Sequence, residues 1–103
     1  MATYTVSAGH KSVGPWTMTA STVDTVAFTD NVAEVQIDNT EGSVRLFATA
    51  DGSTPTVPAA GASSATFCVP AGSILDLEMR GDNDSVKLIS AGTPTVMVQR
   101  KDA

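Results

Sequence analysis

The residues in this sequence that could perform chemistry are few and scattered. The chain has one histidine, His10, and one cysteine, Cys68. A zinc site normally needs several histidine or cysteine ligands, so the pair argues against zinc. A cysteine and a histidine far apart in sequence can form a nucleophilic pair, but Cys68 lies between Phe67 and Val69 in an alternating apolar segment. We therefore expect Cys68 to be buried as a small apolar side chain, and the protein not to be an enzyme.

The acidic segment Gly81-Asp82-Asn83-Asp84 has residue types found in calcium loops. An EF-hand loop that began at Asp82 would need glycine at its sixth position, where this chain has Lys87. Aspartate and asparagine also stabilise turns by bonding to their own backbone. The segment therefore predicts a turn, with a weak calcium site near Asp82 and Asp84 as the alternative. Nothing in the sequence predicts a cofactor.

Residues for contact with a partner are suggested by the aromatic side chains and two loops. Tryptophan is both well buried on average and enriched at interfaces. Trp16 is therefore either a packing residue of the core or an edge, or an anchor at an interface with a partner. Phe47 alternates with its apolar neighbours, so it is either buried between two layers or exposed at a contact surface. The loops 9–15 and 53–64 carry little charge and lose little on desolvation. The predicted contact residues are His10, Trp16, Phe47, Pro55 and Pro58.

These residues must be positioned by strands, because alternation of apolar and polar residues recurs along the chain. The alternating segments are 3–8, 16–20, 22–29, 32–38, 43–50, 65–69, 73–79, 85–90 and 95–100. The segments 32–38 and 43–50 predict a hairpin, joined by a turn at 39–42 in which Gly42 can take a positive φ. Turn residues at intervals of roughly 8–12 predict an all-β, jelly-roll-like sandwich of about eight strands. A chain of 103 residues is expected to form a single domain, 1–103.

Charge and composition exclude several classes of partner. The net charge is −5, and the six basic residues are dispersed along the chain. A nucleic-acid surface needs clustered basic residues, and an anionic membrane attracts them, so we expect neither partner. No apolar run approaches the roughly 20 residues of a membrane helix. The first residues, MATYTVSAGHK, lack the pattern of a signal peptide, so we expect synthesis in a cytoplasm without signal-dependent export.

Four segments that together span most of the chain carry a resemblance to known proteins: MATYTVSAGH, STVDTVAFT, AEVQIDNTEGSVRLFATADGSTPTV and VKLISAGTPTVMV. In their order and spacing they resemble the small all-β virion proteins of tailed phages that infect actinobacteria. This resemblance implies a capsid decoration (minor capsid) protein, with a tail-associated virion protein as the alternative. Such a protein would sit in the virion as a homo-oligomer, with a trimer favoured, on the outer surface of the shell of major capsid protein. It would brace that shell against the pressure of the packaged DNA.

A second, local resemblance covers VRLFATADGSTPT, which is similar to part of the small Ig-like modules of chitobiase-type glycosidases. It implies a carbohydrate-binding module, for which Trp16 and Phe47 would be the sugar-stacking residues. Those modules accompany secreted enzymes, whereas this sequence predicts neither export nor catalysis. We therefore favour the decoration protein and keep the carbohydrate-binding module as an alternative.

Overall fold

The computed structural model describes residues 1–80 and 83–101 and has nine strands, without helix, in that part of the chain. The strands are β1 (Thr3–Val6), β2 (Ser12–Thr17), β3 (Asp24–Phe28), β4 (Glu34–Asp38), β5 (Leu46–Thr49), β6 (Phe67–Val69), β7 (Ile74–Glu78), β8 (Ser85–Ile89) and β9 (Thr95–Arg100). They form two sheets. Sheet A has the order β1-β3-β8-β5-β6, and sheet B has the order β2-β9-β4-β7.

The strands pair as nested antiparallel partners. β5 pairs with β6, β4 with β7, β3 with β8 and β2 with β9. Each pair encloses the previous one along the chain, and successive pairs alternate between sheets A and B. An antiparallel ribbon rolled into two layers in this way is a jelly roll. The predicted all-β, jelly-roll-like sandwich is therefore confirmed, with β1 added as a ninth strand that runs parallel to β3.

The predicted hairpin between 32–38 and 43–50 is wrong. β4 lies in sheet B, between β9 and β7, whereas β5 lies in sheet A, between β8 and β6. The turn at its centre does form, and the amide of Gly42 donates to the carbonyl of Asn39 at 3.0 Å. In the rolled ribbon, however, this turn carries the chain from one layer to the other. Local turn chemistry does not distinguish a crossover from a hairpin, because both use the same residue types.

Gly42 has a different role from the one predicted. Its φ is not positive, but a Cβ atom at this position would lie 1.8 Å from Oδ1 of Asn39. Asn39 is fully buried, and its Nδ2 donates to the carbonyls of Val44, Val69 and Pro70 at 2.9, 3.3 and 3.3 Å. The glycine therefore makes room for an asparagine that connects the approach to β5 with the end of β6.

The hydrophobic core lies between the two layers and follows the predicted alternation. Inward residues of each strand alternate with more exposed ones, as at Val35 and Ile37 of β4. Leu77 is buried, and Leu75 and Met79 pack against the same core, as expected for one face of β7. The other fully buried apolar side chains include Val6, Met18, Val26, Leu46, Ala48, Val69, Val86, Leu88, Val96 and Val98.

The prediction of a loop over 9–15 is wrong for its second half. β2 begins within that range and pairs with β9, with an irregular register between Val13 and Trp16. Gly14 and Pro15, joined by a cis peptide bond, lie inside that irregularity. A proline is tolerated in an edge strand at a bulge, since it has no amide hydrogen to donate. β2 is an edge strand of sheet B, so the Gly-Pro pair interrupts the strand without ending it.

The topology collects the connections at two ends of the sandwich. β1, β3 and β5 all end where β6 and β8 begin. The connections 7–11 and 50–66 therefore emerge at the same end, which we call the loop end. They lie at opposite edges of sheet A, because β1 and β6 are its edge strands. The opposite end, the turn end, carries the connections 39–45, 70–73 and 90–94.

Candidate functional site

The five predicted contact residues do not form one site. Phe47 and Pro58 line the same cleft on the outer face of sheet A. His10 and Trp16 belong to the opposite side of the sandwich, at the β1–β2 connection and in β2. Pro55 is buried, which leaves little of its ring for a partner. Sequence reasoning had grouped these residues by type, and the fold separates them.

The cleft lies between the β5–β6 pair and the loop 50–66, which folds back along that pair. It has a volume of about 410 Å³, within the range of small-molecule sites. Side chains of the two strands form its floor, and the middle of the loop forms its wall. The lining residues are Arg45, Phe47, Pro58, Ala59, Ala60, Gly61, Ala62, Ser64, Thr66 and Cys68.

Phe47 lies on the outer face of sheet A, between the inward residues Leu46 and Ala48. It is half-buried, so neither of the two predicted situations describes it alone. Its direct neighbours across the sheet are Cys68 on β6 and Ile89 on β8. Phe47 also lines the cleft.

The prediction that Cys68 is buried is wrong, because the side chain is exposed and lines the cleft. Cys68 and its neighbour Val69 point to opposite faces of sheet A, and Val69 is fully buried in the core. β6 is a three-residue edge strand, and its outer face has no second layer over it. Phe67 is also 51% exposed, because an edge strand is covered on fewer sides than a central one. The apolar neighbours in sequence were therefore no guide to the burial of this cysteine.

Trp16 is held by specific contacts at the β1–β2 side. Its ring centroid lies 4.8 Å from that of Tyr4, with the planes tilted by 42°. Its Nε1 donates to Oδ2 of Asp24 at 2.9 Å. Asp24 is only 4% exposed and also accepts from the amide of Ala2 at 3.1 Å. Trp16 is half-buried against the core, so packing accounts for most of its surface.

The start of the loop 50–66 is fixed by a turn at Asp51-Gly52-Ser53. Oδ1 of Asp51 accepts from the hydroxyl and the amide of Ser53 at 2.5 and 3.0 Å, and these bonds lower the pKa of the carboxyl. Gly52 has a φ of 86°, which favours glycine. Thr49 Oγ1 donates to the Ser53 carbonyl at 2.7 Å, and Lys87 Nζ donates to the Gly52 carbonyl at 3.2 Å.

The far part of the loop is closed by small polar contacts. The amide of Ala62 donates to the carbonyl of Ala59 at 3.0 Å, and Gly61 between them has a φ of 77°. The hydroxyls of Ser64 and Thr66 share a hydrogen bond of 2.7 Å. These bonds turn the wall of the cleft back toward β6 without using a charged side chain.

The two outer faces of the sandwich differ in charge. Sheet B presents Glu34, Asp38, Asp76 and Glu78, with Glu34 directly opposite Glu78. Around the cleft, by contrast, the only charged residue among the described lining is Arg45. Its side chain is exposed and makes no ion pair within residues 1–80 and 83–101. Sequence reasoning missed Arg45, because nothing in the pattern showed that the loop would fold beside it.

Comparisons with protein-family models, with curated proteins and with solved structures found no match. The strand order also differs from that of an immunoglobulin sandwich, so the likeness of VRLFATADGSTPT to Ig-like modules does not extend to the arrangement of the strands. No helix in the described part of the chain is long and apolar enough to cross a membrane. The same residues contain no group of three or more metal-ligating side chains. The predicted turn at 81–84, with its alternative of a weak calcium site near Asp82 and Asp84, falls partly on residues 81 and 82, outside the described residues.

Proposed function

We propose that this protein is a phage capsid decoration protein that binds the outer surface of the major capsid shell and stabilises it in the virion. The sequence segments that resemble virion proteins of actinobacterial phages support the proposal. The observation that carries it structurally is that both predicted contact loops emerge at the loop end of the sandwich. Strand spacing of roughly 4.8 Å separates the edge strands β1 and β6 by about 19 Å.

Two loops held that far apart by a rigid sandwich suit attachment to a surface larger than the protein itself. The loop end would contact the shell, and the outer faces of the sheets would contact sister copies in a homo-oligomer, with a trimer favoured. Many weak contacts repeated over a shell add up to strong retention through avidity. This mechanism needs no catalytic residue.

The proposal is tested by mixing the purified protein with capsids assembled without it. We expect co-sedimentation and a rise in the temperature at which the capsids open. Absence of both effects would contradict the proposed function. Sedimentation of the free protein, measured separately, tests the expected oligomer.

Charge variants test which end attaches. Thr54→Glu and His10→Glu each add an acid at an exposed position of the loop end. Ala91→Glu adds the same charge at an exposed position of the turn end. We expect the first two to weaken co-sedimentation and the third to leave it unchanged. Equal weakening of co-sedimentation by all three variants would indicate general charge repulsion from the capsid and would contradict attachment through the loop end.

A further inference from the structure

We propose that the cleft between β5, β6 and the loop 50–66 is a binding site for a small aromatic carboxylate. This inference goes beyond the proposed function and does not depend on it. Three properties of the cleft point to that class of ligand: its charge, the aromatic ring of Phe47 and its size. Each can be followed from the described residues.

The charge of the cleft is the opposite of the charge of the chain. The protein has a net charge of −5, yet none of the described lining residues is a carboxylate. Arg45 is exposed at the cleft without an ion pair among those residues. A guanidinium presents two parallel donors that match a carboxylate. The cleft therefore favours an anion where most of the surface repels one.

Phe47 gives the cleft one flat apolar surface. Aromatic rings pack well against each other in offset or tilted arrangements. The wall opposite consists of Pro58 and the small residues of 59–62. The hydroxyls of Ser64 and Thr66 already bond to each other, so they have less hydrogen-bonding capacity left for a ligand.

The volume of the cleft is compatible with a small ligand. A cleft of about 410 Å³ lies toward the lower end of the range for small-molecule sites. One or two fused rings with a carboxylate fit that space, whereas a longer chain would extend out of the cleft. The arrangement of one cation beside one ring fits a ligand in which the carboxylate is attached to the ring.

The single cysteine of the chain provides a direct readout, because Cys68 lines the cleft and is exposed. Its thiolate attacks the disulfide of neutral 4,4′-dithiodipyridine, forming a mixed disulfide on Cys68 and releasing one thiopyridone. A ligand in the cleft shields the thiol. We expect 1-naphthoate to slow this reaction in a saturable manner, while acetate and neutral 1-naphthalenemethanol slow it less.

Matched variants identify the cation responsible. Arg45→Gln should weaken protection by 1-naphthoate about twofold to fivefold, the range expected for losing one exposed charge pair. Arg80→Gln changes the net charge equally. Arg80 is exposed, follows β7 of sheet B and does not line the cleft, so this variant should leave protection intact. Absence of saturable protection, equal protection by the neutral alcohol, or equal loss in both variants would overturn the proposal.

A second reagent tests the same site without a competing ligand. 5,5′-Dithiobis(2-nitrobenzoate) is itself an aromatic carboxylate with a reactive disulfide. Its rate with Cys68, relative to that of the neutral reagent, should fall about twofold to fivefold in Arg45→Gln and stay constant in Arg80→Gln. An unchanged ratio in both variants would show that the cleft does not select anions. Neither thiol assay involves capsids, so its outcome is distinguishable from failure of the proposed function.

Discussion

At the scale of single residues, Asn39 and Gly42 form one unit. The buried amide of Asn39 donates to three carbonyls, which lie in the connection 39–45, at the end of β6 and in the connection 70–73. It fits only because Gly42 has no side chain. A buried carbonyl without a donor is costly, so both residues should matter more than their position in a turn suggests.

We expect Asn39→Ala to lower the free energy of unfolding by about 2–4 kcal/mol, because three carbonyls lose their shared donor. Gly42→Ala should cost about 1–3 kcal/mol, because its Cβ overlaps the Asn39 side chain. Urea denaturation measures both.

The double variant separates this explanation from a general turn effect. Once Asn39 is alanine, the severe overlap with its side chain is gone and only the 3.1 Å approach to Cβ of Pro94 remains, so adding Gly42→Ala should cost much less than it does alone. Strictly additive losses would contradict the packing of the two residues against each other.

Asp38 gives the stability a dependence on acid pH. Thr40 donates to its Oδ1 from the hydroxyl at 2.6 Å and from the amide at 2.9 Å, and these bonds lower the pKa of the carboxyl below its ordinary value of 3.8. A carboxyl whose pKa is lower in the folded state stabilises the fold above its unfolded pKa. That contribution is lost as the pH falls through the folded value.

We therefore expect Asp38→Asn to be less stable than the parent at neutral pH and the difference to shrink as the pH falls below 3.8. Urea denaturation at a series of pH values measures the difference. Thr40→Val removes the hydroxyl bond and should show the same trend with a smaller amplitude. A difference that stays constant into acid would contradict this role of the carboxyl.

At the scale of elements, Trp16 joins β2 to β3 across the two sheets through its bond to Asp24. Trp16→Phe keeps an aromatic ring but removes the N–H, leaving Oδ2 of a buried carboxylate without that donor. We expect a loss of about 1–3 kcal/mol in the free energy of unfolding, measured by circular dichroism in urea.

Tyr4→Phe is the matched control, because it keeps the ring that contacts Trp16 and should be close to neutral. If Trp16→Phe left stability unchanged but weakened binding to capsids, Trp16 would be a contact residue and not a packing residue.

Strand positions and the layered architecture could be predicted from sequence because alternation records which side of a strand is buried. The pairing of β4 with β7 could not, since both a hairpin and a rolled ribbon place turn residues after β4. The cleft could not be predicted either. Its floor depends on Cys68 lying on an uncovered outer face, and its charge depends on where an uncharged loop folds back beside Arg45.

At the scale of the whole molecule, each of the four edge strands of the two sheets has a feature that disfavours pairing with a strand of another molecule. β1 and β6 are short, with four and three residues. β2 is interrupted around Gly14 and Pro15. β7 is longer but carries Asp76 and Glu78 on its outer face. Sister copies in the proposed oligomer are therefore expected to meet through faces and not edge to edge.

Glu78→Thr should raise self-association at neutral pH, measured by analytical ultracentrifugation, because it removes a charge from an open edge. Glu34→Thr is the matched control, since Glu34 faces Glu78 directly on the central strand β4. Both changes relieve the same like-charge contact, and Glu34→Thr should stabilise the fold by about 0.2–1 kcal/mol. Glu78→Thr also loses the exposed ion pair with Arg80 at 3.9 Å, so its gain in stability should be smaller. Equal self-association in the two variants would show that the charge of Glu78 does not prevent pairing at the edge strand β7.

The nested pairing also determines the order in which the chain can fold. Pairing β2 with β9 first would join Ser12 to Gln99 and close a loop of nearly the whole chain, whereas β5 and β6 close only the segment 50–66. Each inner pair shortens the closure left for the next one, so folding is expected to proceed like a zipper from β5–β6 outward. The loop 50–66, which forms the wall of the cleft, is thus also the loop that we expect to close first. Shortening it should speed folding while removing the cleft.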